Sequence, residues 1–269
     1  MQLEMVEAQR ATSSTANWHR RASQFPSFSH VVDEICVMNI RSWLAHCQVD
    51  TAHSKCRPAS FHWPTFPGVQ FRVIDVFRRC ITVCPDGCQY LALSYVWGGV
   101  DQPKLILEVL DRLMQEGGLD VIWTRIPQTV RDAIAFCQQI GERYLWVDAL
   151  CIIQDYPRDM RLSILRMRQV YAAAKCTLGA ISASSAEASI LNNFTTHKWT
   201  CLTVESLHKL IEKSPWSQRA WCYQEKVLSR RMIFFTTDGL YMQCQAITYN
   251  GMGTSLVSET DRATDTRQV

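Results

Sequence analysis

The stretch Tyr144-Leu-Trp-Val-Asp-Ala-Leu-Cys-Ile-Ile-Gln-Asp155 constrains the fold more than any other part of this chain. An apolar run ends on an aspartate, and a second carboxylate follows on the connection. Strands buried on both faces of a sheet read as such runs, and open α/β sheets present their chemistry where strands end. Residues 90–97, Tyr-Leu-Ala-Leu-Ser-Tyr-Val-Trp, repeat the arrangement and run into Gly98-Gly99. Two strands that end in polar or small residues imply one shared sheet edge, and a functional site is expected there.

Around these runs the hydrophobic period changes repeatedly. Val32, Ile35, Val37-Met38 and Trp43-Leu44 predict a short helix over 31–47, and the prolines 58, 64 and 67 predict an irregular connection over 53–68. Val69, Phe71 and Val73 alternate with Gln70 and Arg72, so a strand is expected over 69–77, then a turn at Cys84-Pro-Asp-Gly-Cys88. Residues 103–123 suit a strand or a helix; helix is preferred. Pro127 in a first turn, a face of Val130, Ala133, Ile134, Cys137 and Ile140, and Gly141 as terminator define the next helix. A third, over 158–174, carries Met160, Ile164, Met167 and Tyr171 as its stripe, and a strand follows over 176–181. Beyond a polar loop come a short helix over 203–211 and a helix opened by Ser214 as cap and Pro215 in its first turn. Two strands around Asp238-Gly239 form a C-terminal β-hairpin. The alternation predicts an α/β fold with a central, mainly parallel sheet flanked by helices. The expected division is a weakly ordered segment 1–30, a lead-in 31–68, the main domain 69–249 and a polar tail 250–269.

Composition narrows the function. A chain of 269 residues with 47% hydrophobic content can bury one substantial core. A net charge of +3 without a Lys/Arg-rich run excludes nucleic acid as the expected partner. Charges or prolines interrupt every apolar run, and residues 1–20 lack the apolar region of a secretion signal, so a cytoplasmic protein with no membrane span is expected. Free thiols are then the default for its twelve cysteines.

Four segments in order carry a family resemblance: Leu93-Ser-Tyr-Val-Trp-Gly98, Ile126-Pro-Gln-Thr-Val-Arg-Asp-Ala-Ile134, Arg143-Tyr-Leu-Trp-Val-Asp-Ala-Leu-Cys-Ile-Ile-Gln-Asp155 and Trp216-Ser-Gln-Arg-Ala-Trp-Cys-Tyr-Gln-Glu225. They resemble the heterokaryon-incompatibility (HET) domain of filamentous fungi, and Trp43, Cys47, His53 and Cys56 are similar to the lead-in of many such proteins. The resemblance implies a role in non-self recognition between fungal cells, with growth arrest or cell death as output. It also implies contact with a protein partner or self-association. HET domains are in turn distantly similar to Toll/interleukin-receptor domains, some of which cleave NAD with a glutamate in a Trp-Cys-x-x-Glu-like helix. Trp221-Cys-Tyr-Gln-Glu225 matches that spacing, which implies Glu225 as the catalytic carboxylate, NAD as a substrate rather than a bound cofactor, and a TIR-like or flavodoxin-like sheet.

Several residues have a chemical reading of their own. At about 100° per residue, Glu225 shares a helix face with Trp221 and Leu228, so its carboxylate is expected to be partly desolvated with its pKa pushed up. The alternative is an ion pair with Arg219, Arg230 or Arg143. Asp148 at a strand end can orient a ribose hydroxyl or hold the following loop; Asp155 can bind or can cap the third helix. Trp97 and Gly98 can form a stacking wall and a backbone-close floor for a planar ring, or Trp97 can be core. Arg219 can hold a phosphate or pair with Glu225. Cys47, His53 and Cys56 have zinc-ligand side chains, with Cys80, Cys84 or Cys88 as a fourth. Their spacing, Cys-x5-His-x2-Cys, is not a standard zinc motif, and no metal site is expected. A non-catalytic interaction module stands as the alternative function.

Overall fold

The computed structural model describes residues 32–56, 70–191 and 203–256. The expected weak order of 1–30, most of the proline-rich connection and most of the polar tail lie outside these residues.

Tyr90–Ser94 (β3) is apolar up to its last residue and buried along its whole length, which places it in the middle of a sheet covered on both faces. It is flanked in parallel by Tyr144–Trp146 (β4) and Cys176–Ala180 (β5), and Arg231–Thr236 (β6) continues the parallel set. Both ends of the sheet are antiparallel. Arg72–Asp75 (β1) pairs with Cys80–Val83 (β2) and with β4; Gly239–Cys244 (β7) pairs with β6 and with Thr248–Asn250 (β8). The order is β2-β1-β4-β3-β5-β6-β7-β8.

The sheet is therefore mixed, with four antiparallel pairs against three parallel ones, and the expected mainly parallel, TIR-like or flavodoxin-like sheet does not form. The physical reason is connection length. Crossovers long enough to carry helices leave β3, β4, β5 and β6 parallel, whereas the short turns 76–79, 237–238 and 245–247 permit only antiparallel neighbours; the fourth antiparallel pair, β1 with β4, joins strands far apart in the chain. Two short strands, β2 and β8, were not expected from the sequence.

The crossovers hold the helices. Glu34–Val49 (α1) starts at Asp33, whose side chain accepts the Ile35 amide. Leu107–Met114 (α2) and a 3-10 segment, Gly118–Arg125, precede Gln128–Ile140 (α3), which ends as expected at left-handed Gly141. Arg41 of α1 donates to the terminal carbonyls of Gln139 and Ile140, which ties the lead-in helix to α3. A single turn, Asp148–Cys151 (α4), leads into Pro157–Ala173 (α5); Val204–Glu212 (α6) and Ala220–Leu228 (α7) follow. Ser214 and Pro215 do not open α7. They form a separate turn, with the Ser217 amide donating to Ser214 Oγ, and α7 begins after Arg219.

Strand β6 shows how the sheet is buried. Ile233 and Phe235 enter the main core, while Met232 and Phe234 join a second cluster with Leu207, Ile211, Trp216 and Cys222. Successive side chains point to opposite faces, so both faces are packed. Cys84 and Cys88 form a disulfide across their turn, a departure from the all-thiol expectation; the turn at Gly87 brings the two Cα atoms to 6.5 Å. No helix among the described residues is long and apolar enough to cross a membrane.

Candidate functional site

Strand β3 delivers Ser94 at its C-terminal end, buried although polar. A buried hydroxyl needs partners, and Ser94 has two: it donates to Glu225 Oε2 on α7 and accepts from Trp216 Nε1 at 2.6 Å. Glu225 is 6% exposed. Burial pushes its pKa up from the ordinary glutamate value, and the nearby Asp148 charge adds to this; the Ser94 hydrogen bond, Arg219 and Tyr171 pull the other way. Tyr171 of α5 donates to Leu93 O at 3.3 Å.

Asp148 lies two residues beyond the end of β4. Part of the residue reaches the surface, but its carboxylate is enclosed, and burial raises its pKa to about 6. The indole of Trp97 is forked between its two oxygens at 2.9 and 3.1 Å, and the Ala149 amide donates to it at 2.7 Å. Two carboxylates with raised pKa, Asp148 at the start of α4 and Glu225 within α7, thus lie within electrostatic reach of each other and of Arg219. Such groups cluster at working sites, and they also occur as structural networks.

The expected residues are placed as follows. Arg219 precedes α7 and donates to the Tyr95 carbonyl. Arg230 donates to Ala172 O, and Arg143 pairs with Asp75 at 2.8 Å. Among the described residues Glu225 forms no ion pair, so its polar partners are a hydroxyl and its neighbours rather than a guanidinium. Trp97 is half-buried beneath Lys104, whose Nζ lies 5.7 Å from its ring, and Gly98 is in the left-handed region at φ 67°. Gly98 backs directly onto Ser185, whose Cβ would lie 2.8 Å from an added methyl group. Asp155 is exposed and accepts the Leu107 amide at 2.9 Å, so it caps α2 rather than the helix that follows it. Trp221 is 48% exposed. It lines a hollow with Met167, Arg168, Tyr171, Gln224 and Glu225.

That hollow encloses only about 10 Å³, room for about one water molecule, against roughly 300–1,000 Å³ for ligand pockets. Neither Trp97 nor Asp148 lines it. The structure therefore brings Glu225, Ser94, Trp216, Tyr171 and Asp148 into one polar neighbourhood, with Trp97 joined through Asp148, but encloses no nucleotide-sized space between them among the described residues.

Ser94, Trp216 and Tyr171 were not singled out from the sequence as site residues. The available signal was Ser94 itself, a hydroxyl closing an otherwise apolar strand. The segment around Asp132 has a structural task. Asp132 is buried and accepts from Ser189 Oγ at 2.6 Å and the Ile190 amide at 2.9 Å, while the Thr129 amide donates to Ala186 O at 3.0 Å. These bonds hold the loop against which Gly98 rests.

The cysteines and histidine of the lead-in gather elsewhere, beside Cys244 at the end of β7. Cys80, Cys84 and Cys88 are not part of that group.

A family model described as Heterokaryon incompatibility protein (HET) matches residues 90–225, half of the chain, from the first residue of β3 to Glu225. No curated protein and no solved structure matches the chain.

Proposed function

The chain belongs to the heterokaryon incompatibility family, and on that premise we propose that it is a signalling domain of fungal non-self recognition whose output is cleavage of the nicotinamide–ribose bond of NAD at Glu225. The observation that supports this is the carboxylate itself: buried, held by Ser94, its pKa raised, at the wall of a hollow whose rim carries Arg168. The bond from C1′ of the ribose to nicotinamide breaks with its electron pair leaving on nicotinamide. The ribose then has oxocarbenium character, which an adjacent carboxylate stabilises until water adds at C1′ and releases a proton. Arg168, which lines the hollow, carries a guanidinium fork that suits a phosphate.

The hollow must widen before a dinucleotide enters, so the resting chain is inactive on this reading and assembly opens the site. Helices α5 and α7 form its walls, and their separation is the required motion.

A second reading, a non-catalytic association module, is favoured by one observation. Tyr223 and Val227, one turn apart on one face of α7, are 71% and 58% exposed. Apolar side chains grouped on a surface mark interaction faces. The test is NAD consumption by purified protein at rising concentration. Turnover that rises with assembly, is abolished in Glu225→Gln and survives in Lys226→Ala supports the hydrolase. No turnover in any assembled state, with toxicity to the host cell intact in Glu225→Gln, leaves the association module.

A further inference from the structure

We propose that this protein carries a structural zinc site formed by Cys47, His53, Cys56 and Cys244. The four come from three places. Cys47 is near the end of α1, His53 and Cys56 lie on the 3-10 segment Thr51–Cys56, and Cys244 is the last residue of β7. Their ligand atoms all lie within 4.8 Å of one another.

Two of the spacings are those of a tetrahedral site. Zn–S bonds of about 2.3 Å and Zn–N bonds of about 2.0–2.1 Å, set at tetrahedral angles, put a sulfur and a nitrogen ligand about 3.6 Å apart. His53 Nδ1 lies 3.7 Å from Cys56 Sγ and 3.4 Å from Cys244 Sγ. All three cysteines are buried, and none is in a disulfide. Three thiolates and one imidazole are a donor set that suits zinc, and four protein ligands close the coordination sphere, as in structural rather than catalytic sites.

A second observation concerns charge. Arg231 is 2% exposed, and among the described residues it pairs with no carboxylate. Its Nε lies 3.1 Å from Cys47 Sγ, while its other nitrogens donate to the carbonyls of Cys47 and Lys175, each at 3.1 Å. A buried cation needs a compensating charge. Zinc with three thiolates and a neutral imidazole carries one net negative charge, which Arg231 neutralises at contact distance. The Arg231 Nε–H is also a donor to the Cys47 sulfur. Donors to the sulfurs are the usual outer shell of a metal–thiolate site.

All four ligands fall outside the matched region 90–225, so the site belongs to the flanking segments. His53 and Cys244 are 191 positions apart. The metal therefore fastens the N-terminal lead-in to the antiparallel edge of the sheet and contributes its binding free energy to folding.

The experiment is elemental analysis of the full chain, produced in zinc-supplemented medium without a polyhistidine tag. One zinc per chain is expected, retained through gel filtration and released by a thiol-reactive mercurial. Cobalt replacement is expected to give the visible bands of a tetrahedral thiolate site. Cys244→Ser and Cys56→Ser lose the metal, and Cys80→Ser keeps it. The proposal is overturned if the wild-type chain holds no stoichiometric zinc, if Cys244→Ser keeps its metal, or if peptide mapping finds two of the three cysteines joined in a disulfide. The cobalt spectrum and the mercurial titration use the unaltered chain, so an insoluble variant does not remove the test.

Discussion

Ser94 and Glu225 stand 131 positions apart, yet the hydroxyl of one donates to the buried carboxylate of the other. The same hydroxyl accepts from the Trp216 indole, so one side chain joins strand β3, the turn before α7 and α7 itself. Removing it leaves a buried N–H without an acceptor and a carboxylate without its donor. Ser94→Ala is expected to lower stability by about 1–3 kcal/mol. Urea unfolding measures it, and a cycle with Glu225→Gln isolates the coupling, expected at roughly 0.5–3 kcal/mol. Additive effects of the two changes would mean that the bond carries no energy.

Glu225 stabilises a developing positive charge only when ionised. Burial lifts its pKa above the ordinary value of 4.5, so the acid limb of the NAD-cleavage profile is expected above the usual carboxylate range, with turnover falling as pH drops through it. Glu225→Gln removes turnover, and its far-ultraviolet circular dichroism matches that of the wild type. A limb at ordinary carboxylate pH would place the ionising group outside this buried cluster.

Asp148 makes a separable prediction about stability. Its pKa is 3.8 ordinarily and about 6 in the fold. The folded state binds this proton more tightly, so the stabilisation it brings is complete below about pH 3.8 and is lost as pH rises through about 6. Keeping the carboxylate charged at pH 7 costs at most about 3 kcal/mol. Asp148→Asn, an uncharged isostere that still accepts from Trp97, is expected to flatten the wild-type decline between pH 4 and 7. Unfolding free energies at intervals of about one pH unit test this; identical slopes in the two proteins would refute it.

Arg72 and Asp159 form an ion pair at 3.0 Å with side chains 7% and 1% exposed. The other oxygen of Asp159 accepts the Ile153 amide at 2.9 Å. Asp159→Ala leaves a buried guanidinium and an unpaired amide, and a loss of about 3–5 kcal/mol is expected. Replacing both partners with apolar residues is expected to cost far less, which chemical denaturation of the two variants compares directly.

Gly98→Ala places a methyl group on a left-handed backbone facing Ser185. The conformation alone costs about 1–2 kcal/mol, and the contact adds to it. A lower melting temperature is expected, together with faster proteolysis within the loop 182–191. An unchanged melting temperature would show that the loop moves aside freely.

Local patterning carried much of this architecture. The run read as a strand over 90–97 forms one over Tyr90–Ser94, the run that opens at Tyr144 forms one over Tyr144–Trp146, and the helix that ends at Gly141 and the hairpin around Asp238-Gly239 form as their periodicity implies. The start of α7 was misplaced because Ser214 and Pro215 have the chemistry of a helix start, yet here close an isolated turn. The burial of Glu225 follows helix geometry, although its expected neighbour Trp221 is half exposed.

What the sequence determined by itself is most of the longer elements and the family, because both rest on residues a few positions apart, where backbone geometry fixes which side chains share a face. Only the tertiary structure decided the sheet's mixed direction, the Ser94 bond to Glu225 and the meeting of Cys47, His53 and Cys56 with Cys244. Each joins segments far apart in the chain. Such contacts depend on how the whole core packs, and no local period encodes that.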